Sequence, residues 1–401
     1  MPPLTVAQAQ SRILEGAAPV GAEHVALLDA DGRVLATPHH ARLTQPPFDA
    51  SAMDGYAVRA ADVASLPARL ALVGEAAAGH PLAASVGPGE AARIFTGAPL
   101  PAGADAIVIQ ENTAREGAVV EVREGVPDPE HVRPRGGDFT QGQALLDAGR
   151  VLSPRDLTLA AAMGHATLAV RRRPVVAILA TGDELVAPGT MPGPGQIVSS
   201  NPYGLAAMAR RAGAVPRLLG IARDTREHLA ERIAVAAGAD ILLTIGGASV
   251  GDHDLVGPVL QQQGMTLDFW KIAMRPGKPL MFGRLGAQRV IGLPGNPVSS
   301  LICMRVFVVP LIRALLGLEP VSEARGTAAL TRAISANGPR QHYMRAVGSR
   351  ADDGGLLVTP VHSQDSSLMS PLAAADWLIV RAAGAPAAPA GATVDVLPLD
   401  F

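Results

Sequence analysis

Two spacings of apolar positions divide the chain. From Pro174 to Gly317, short aliphatic runs (Val175 to Ala180, Val215 to Ile221, Ile241 to Ile245) alternate with segments of helical spacing, one after Asn201 and one after Asp224. Such alternation predicts a parallel α/β sheet, because parallel neighbours need a crossover long enough to hold a helix. Ligands of such sheets bind outside the carboxyl ends of the strands. From about Leu43 to Val132 the apolar runs are shorter and broken by Gly and Pro, as in Ala106-Ile107-Val108-Ile109 and Val119-Val120-Glu121-Val122, which predicts a small β domain inserted between helices. Thr5 caps the first of those helices, through about Leu14. Ser153, with Pro154 in the first helical position, opens the second through Met163, and Gly164 ends it. Arg171-Arg172-Arg173-Pro174 marks the boundary to the α/β pattern. After Glu319-Pro320 short β segments return, Leu356-Leu357-Val358 and Trp377-Leu378-Ile379-Val380, followed by a Pro- and Ala-rich stretch from Ala385 to Ala392, so a small C-terminal β domain is expected.

Length supports this division, since 401 residues exceed the size at which a single core stops growing. Charge narrows the ligand. The formal net charge is −2 and the basic residues are dispersed, which argues against a nucleic acid or an anionic membrane as the main partner and favours a small molecule. The single cysteine, Cys303, excludes an internal disulfide and any multi-cysteine metal site, consistent with a reducing compartment. The sequence has neither a basic, then apolar leader at Met1-Pro2-Pro3-Leu4 nor an uninterrupted apolar stretch near the roughly 18 residues of a membrane span, and a cytoplasmic, soluble protein is expected. The histidines are scattered, and no Cys/His spacing suggests structural zinc.

One composition bias points to a site. Of 34 basic residues only two are lysines, Lys271 and Lys278, against 32 arginines, and both lie in Trp270-Lys271-Ile272-Ala273-Met274-Arg275-Pro276-Gly277-Lys278-Pro279. A lysine ammonium is a compact charge on a thin stem, suited to a narrow anion site where the planar arginine fork is not. Loops after predicted strands are rich in acid and glycine. Thr181-Gly182-Asp183-Glu184-Leu185 sends two acids into the expected rim, with a solvated turn as the competing account. In Thr244-Ile245-Gly246-Gly247-Ala248-Ser249-Val250-Gly251-Asp252-His253-Asp254, Gly246 and Gly247 let backbone approach a ligand and Ser249 adds a hydroxyl. Asp252 and Asp254 would repel a bare phosphate, which suggests a bridging Mg²⁺. The loop matches neither a Walker A motif nor G-x-G-x-x-G. Gly292-Leu293-Pro294-Gly295-Asn296-Pro297-Val298-Ser299 is again strand, tight turn and helix start, with Asn296 or Ser299 as cap, readable as site or as plain turn. By themselves Phe48 to Val58 and Phe95 to Asp105 read as hairpin or loop, with Asp54-Gly55 a turn pair.

Taken together, FDASAMDGYAV (48–58), TGAPLPAGAD (96–105), TGDEL (181–185), TIGGASVGDHD (244–254), RPGKP (275–279) and GLPGNPVS (292–299) resemble the molybdopterin molybdotransferases, the family to which the gephyrin E domain also belongs. The match spans essentially the whole chain, with its motifs in order. The resemblance implies a multi-domain α/β protein. Its parts would be an extended, partly helical dimerisation domain (1–41 and 136–172), an inserted small β domain (42–135), a central parallel α/β domain of molybdopterin-binding type (173–320) and a C-terminal β-barrel-like domain (321–401). It implies an elongated homodimer whose active site lies between the α/β domain of one subunit and the inserted β domain of the other. The implied reaction takes adenylylated molybdopterin and molybdate, with Mg²⁺ or a similar divalent cation, and releases AMP and molybdenum cofactor. Implied partners are a separate molybdopterin adenylyltransferase and downstream molybdoenzyme chaperones, with no nucleic acid and no membrane. Position by position, Asp54, Thr96, Asp138, Glu184, Asp224 and Asp254 match the family's acidic and hydroxyl positions, with Glu184, Asp224 and Asp254 implied as metal ligands. Lys271, Arg275, Lys278, Arg345 and Ser366 match positions for molybdate or pterin phosphate, joined by Gly246, Gly247, Ser249, Pro294, Gly295 and Asn296 of the phosphate-binding loops. Arg275 departs from the lysine common in relatives. A molybdopterin adenylyltransferase and a gephyrin-like scaffold without catalysis are the competing readings.

Overall fold

The computed structural model describes residues 3–125, 127–247, 255–320 and 326–401. The chain divides into two compact units, Met1–Glu23 with Arg171–Phe401, and His24–Val170.

In the larger unit a six-stranded sheet carries the site. Its strands are β1 (Val175–Thr181), β2 (Val215–Ala222), β3 (Ile241–Ile245), β4 (Thr266–Trp270), β5 (Met281–Leu285) and β6 (Gln288–Leu293), in the spatial order β2-β1-β3-β6-β5-β4. The pairs β1/β2, β1/β3 and β3/β6 are parallel, while β5 runs antiparallel to both neighbours. Five strands therefore point one way, and β5 starts from the edge at which the other five end. β1 and β3 are buried almost throughout, as expected of strands covered on both faces. On one face, helices Arg226–Ala234 and Val256–Gln262 close a core of Ala177, Leu179, Leu229, Ile233, Leu242 and Val259. Asn201–Arg211 packs against β1, β2 and the helical stretch that begins at Pro297.

That stretch, Pro297–Leu315, is 19 residues long and apolar enough by length and composition to cross a membrane, which differs from the sequence-based expectation of no such segment. Its most apolar window is 78% buried inside the protein, so it is a core helix. A π-turn at Met304–Val308 interrupts it just before Pro310, whose missing N–H and ring disturb the regular ladder. Within the π-turn, buried Arg305 donates through Nε to Asp400 at 2.8 Å. The N-terminal helix Val6–Leu14 is capped as the sequence predicts, Thr5 and Gln8 exchanging hydrogen bonds, and it packs in this unit. Gln10 donates to the Val306 carbonyl, and Arg289 donates to those of Ile13 and Glu15.

The C-terminal strands Gln341–Arg350, Leu356–Pro360, Gly326–Leu330, Thr393–Pro398 and Trp377–Arg381 pair in that cyclic order, the last returning to the first, so the sheet closes as a five-stranded barrel. Closure leaves only the added two-residue strand Met274–Arg275 outside the ring, paired to Gln341–Arg350.

The smaller unit holds a six-stranded sheet in the order Ala106–Ile109, Gly55–Val58, Glu90–Ile94, Ala68–Ala76, Val119–Val122 and Thr113–Glu116. Tyr56 and Val58 pack into a core on one face and Ala57 into a second on the other, which is why all of Gly55–Val58 is buried. Helix Pro154–Ala162 packs Ala160 with Leu35, Phe139 and Leu152 in a third core.

Gly55 reads as a turn residue in the sequence, but it lies inside a strand. A Cβ there would stand 2.1 Å from the Val108 carbonyl oxygen. Room, not turn conformation, demands the glycine. Gly55→Ala is expected to destabilise the smaller unit by about 1–3 kcal/mol through overpacking, read as a lower urea midpoint; an unchanged midpoint would contradict this account.

Candidate functional site

The carboxyl edge of the α/β sheet is built by backbone contact. Thr181, Ile245 and Leu293 end β1, β3 and β6 side by side, and the buried Thr181 hydroxyl donates to the Ile245 carbonyl. The next residue in β3's loop, Gly246, has φ +90° and donates its N–H to the Leu293 carbonyl; a Cβ on it would lie 2.8 Å from the Thr181 carbonyl oxygen. Gly247 follows at φ +60°. A Cβ on Gly295 would meet the Gly246 Cα at 3.8 Å. The loops therefore lie close together, and at Gly246 a side chain would clash with the Thr181 backbone, whereas at Gly295 a Cβ would make only ordinary contact.

Below them, Asn201 at the first turn of its helix donates to the Gly295 carbonyl at 2.7 Å and to the Ser300 hydroxyl, which in turn donates to the Pro294 carbonyl. Asn201 is a site-shaping residue that sequence reasoning used only to mark the start of a helix. Asn296 occupies the cap position of the next helix but makes no capping bond with its side chain; its amide donates to the Ser366 hydroxyl at 2.8 Å. Ser366 also accepts the Val298 N–H through its carbonyl, so the segment after the C-terminal barrel's third strand is fastened to the sheet's edge. Arg345 supports that segment from beneath. It is only 1% exposed, and its guanidinium donates to the carbonyls of Ser363, Asp365 and Leu368 at 2.8–2.9 Å. Where the resemblance implies an anion ligand, the side chain is occupied in shaping the loop that carries Ser366.

Acids stand at the β1 and β2 ends. The Gly182 N–H donates to the Ala222 carbonyl, and the Glu184 carboxylate folds back so far that a Cβ on Gly182 would meet it at 2.4 Å. The Asp224 N–H donates to the Asp183 carboxylate at 3.2 Å, making Asp183, one of the two acids expected at the rim though not among the positions the resemblance carries over, the direct link between the two turns. Burial pushes the Asp224 carboxyl above its usual range, reinforced by the Asp183 and then the Glu184 charge. Asp254 and Ser249 lie outside the described residues, and among the described residues no three His, Cys, Asp or Glu side chains form a metal-holding group.

The lysine segment bridges the β4 and β5 ends at the same edge. Lys271 is half-buried, with φ 88°, the one non-glycine residue in left-handed conformation among those described. Its N–H donates to the Leu280 carbonyl and that of Ile272 to Lys278, which closes the segment into a strap with Lys278 exposed. Gly277, at φ +108°, sits against Cys303, whose Sγ would lie 2.6 Å from an added Cβ. That cysteine is buried, and its thiol is pushed far up by desolvation. Arg275 extends from the strap toward the barrel, lining a cavity there.

In the smaller unit, Asp54 accepts from both the N–H and the hydroxyl of Thr96, each at 2.8 Å. These bonds, the backbone one foremost, hold its carboxyl below the usual range, with Arg93 adding a favourable charge. Arg93 lies over the rings of Tyr56 and Phe95 and donates to the Gly55 carbonyl. Asp54 is therefore an ionised, pre-oriented carboxylate at neutral pH. Asp138 stands on a separate, exposed turn beside buried Phe139.

Known proteins match the chain over most of its length. Residues 4–164 match the MoeA N-terminal region (domain I and II), 177–314 a probable molybdopterin binding domain, and 327–399 the MoeA C-terminal region (domain IV). A molybdopterin molybdenumtransferase of Haemophilus influenzae is 34% identical over 406 residues, 99% of each chain. The chain belongs to the molybdopterin molybdenumtransferase family. A second member, from Nostoc sp., is 44% identical over 75% of this chain and 71% of its own. A solved molybdopterin biosynthesis MoeA protein from Pyrococcus horikosii superposes with a TM-score of 0.87 at 29% identity, covering 99% of both chains. Molybdenumtransferase architecture thus extends along the whole chain, the barrel and the inserted sheet included.

The electrostatics of the acidic turn give a test. Above its raised pKa, Asp224 is a carboxylate that the fold disfavours, so its contribution to stability falls as pH rises through that value; below about pH 4 it is neutral folded and unfolded alike. Asp224→Asn is expected to raise the thermal midpoint in metal-free buffer at pH 8, with the gain shrinking toward pH 4. A variant no more stable than the parent at pH 8 would remove the repulsion from the account.

Proposed function

We propose that this molybdenumtransferase inserts molybdate into adenylylated molybdopterin and releases AMP and molybdenum cofactor. The observation that carries this reading is the single strand edge that combines an acidic turn, a nested glycine floor and the chain's only two lysines. The bond to be broken is the phosphoanhydride between the pterin's phosphate and AMP. We assign those phosphates to the backbone of Gly246, Gly247, Pro294 and Gly295. Lys271 and Lys278 supply compact positive charge for the incoming oxyanion. Asn296 and Ser366, bonded to each other, present an amide and a hydroxyl at the same edge. Arg345 keeps Ser366 in place and acts through it.

Carboxylate oxygens are the ligands a hard divalent cation such as Mg²⁺ takes, although among the described residues no three such side chains are gathered into a metal-holding group. Asp183, Glu184 and Asp224 offer carboxylate oxygens, and the Asp224 carboxyl, raised first by burial and then by the charges of Asp183 and Glu184, is one that a cation beside it would favour in its ionised form. Glu184 and Asp224, with Asp254, are the residues we assign to it. When bound, the ion would neutralise the phosphates and polarise the bond that breaks. The ionised Asp54, with Thr96 and Asp138, completes our assignment. We infer a homodimer acting in the cytoplasm, between a separate molybdopterin adenylyltransferase and the chaperones of molybdoenzymes. An adenylyltransferase or a non-catalytic scaffold is not favoured, because the relatives covering nearly the whole chain are molybdenumtransferases by name.

Purified protein with adenylylated molybdopterin and Mg²⁺ is expected to release AMP only when molybdate is added, and Glu184→Ala or Asp54→Ala to lower that rate by about 100-fold or more. Release independent of molybdate would refute the insertion reading. Light scattering is expected to give twice the 41.1 kDa chain mass; a monomer would refute the dimer.

A further inference from the structure

Two residues of types that ordinarily cap helices open Asn201–Arg211, and both turn their side chains elsewhere. Ser200, in the cap position, makes no side-chain capping bond, and its hydroxyl donates to the Asn201 Oδ1 at 3.3 Å. Asn201 is buried, and both hydrogens of its amide leave the helix, one to the Gly295 carbonyl at 2.7 Å and one to the Ser300 hydroxyl oxygen at 3.3 Å. Ser300, fully buried, gives its own proton to the Pro294 carbonyl. Two acceptors thus converge on one side chain. Only an amide of this length serves both, since a hydroxyl offers one hydrogen and a carboxylate none.

The consequence lies in the peptide planes above. The bonds Pro294–Gly295 and Gly295–Asn296 are trans, so each N–H points opposite to the carbonyl of its own peptide. Both carbonyls are drawn to the buried side by Ser300 and Asn201, which turns the Gly295 and Asn296 N–H groups to the side on which these two residues are exposed. Neither N–H has an acceptor among the described residues. A half-turn of either peptide would present a carbonyl oxygen there and repel an anion. Glycine at 295 makes such a turn easy, so the orientation needs a tie from outside the loop.

We propose that Asn201, acting with Ser300, is a positioning residue for cleavage of the phosphoanhydride: it locks two successive peptides so that the Gly295 and Asn296 N–H groups face the phosphate oxygens on which charge develops. Preorganised amides of this kind act on the transition state more than on the bound substrate. Asn201 itself touches no substrate and works through the turn. The identity of the anion rests on the molybdate-insertion reading, whereas the tie between Asn201, Ser300 and the turn is a property of the fold.

Asn201→Asp keeps the shape and reverses the hydrogen-bonding sense. With adenylylated molybdopterin, Mg²⁺ and molybdate at pH 8 it is expected to lower kcat for AMP release by about tenfold or more while KM stays within about threefold. The introduced carboxyl would face the Gly295 carbonyl and the hydroxyls of Ser300 and Ser200, none of which titrates, so its pKa is raised and its protonated form again donates one hydrogen. The deficit of Asn201→Asp is therefore expected to shrink toward pH 6, whereas that of Asn201→Ala stays constant; a residue that served the fold alone would give both variants the same pH profile as the parent. Ser300→Ala, which cuts only the Pro294 tie, is expected to lower kcat in the same sense and reads the proposal even should Asn201→Asp fail to fold. Hydrogen–deuterium exchange of the full chain without substrate tests the tie itself. In Asn201→Ala the Val298 and Ser300 amides, which close the turn on Ser366 and Asn296, are expected to exchange about tenfold faster, with residues 175–181 unchanged. Unchanged exchange in that turn, or kcat within about twofold of the parent in both Asn201→Ala and Ser300→Ala, would overturn the proposal. A parent that releases AMP without molybdate refutes the insertion reading alone, because the exchange result and the ratio of variant to parent rates still decide the role of Asn201.

Discussion

Where β1, β3 and β6 end, main chain lies against main chain, and the larger unit's candidate site is organised around that contact. Gly246 approaches the Thr181 carbonyl as closely as its missing side chain permits, and Gly295 approaches Gly246. Because the loops touch through backbone, their relative positions are set by the hydrogen-bonded ladder of three parallel strands rather than by adjustable side chains. The floor is therefore stiff, and variable chemistry is left to what stands around it: acids at the β1 and β2 ends, amide and hydroxyl on the 294–300 turn, cations on the strap between β4 and β5.

Much of this was legible in the sequence. Alternating apolar runs gave the strands, and the rule that ligands gather at their carboxyl ends placed the acid- and glycine-rich loops together. What escaped was partnership. Asn296 had the position of a helix cap, yet its amide serves Ser366, seventy residues away in sequence; no local pattern encodes such a pairing. Arg345 had the chemistry of an anion ligand, yet burial and three main-chain carbonyls turn it inward. Gly55 is a glycine because of Val108, a residue on a neighbouring strand. The apolar helix Pro297–Leu315 was hidden by its prolines and Arg305, which interrupt the hydrophobic run, while the π-turn and the pairing with Asp400 accommodate both.

Beside ion pairs such as Arg172–Asp240 and Arg305–Asp400, the larger unit also gathers like charges. Burial raises the Asp224 carboxyl, with the charges of Asp183 and Glu184 adding to it, and burial lowers the His342 imidazole, with the neighbouring arginines adding to it. Folding tolerates both because the groups are few, and Arg345 and Arg381 retain main-chain partners. Electrostatic stress of this kind costs stability and persists where a ligand of the opposite sign relieves it.

The near-absence of lysine has an experimental consequence of its own. Apart from the α-amino group, the chain carries just two primary amines, both on the strap, one half-buried in a left-handed backbone conformation and the other open to solvent. Amine-directed reagents, which decorate most proteins indiscriminately, here amount to a position-specific label for the strap, and the unequal accessibility of Lys271 and Lys278 offers a built-in ratio that reports on its surroundings.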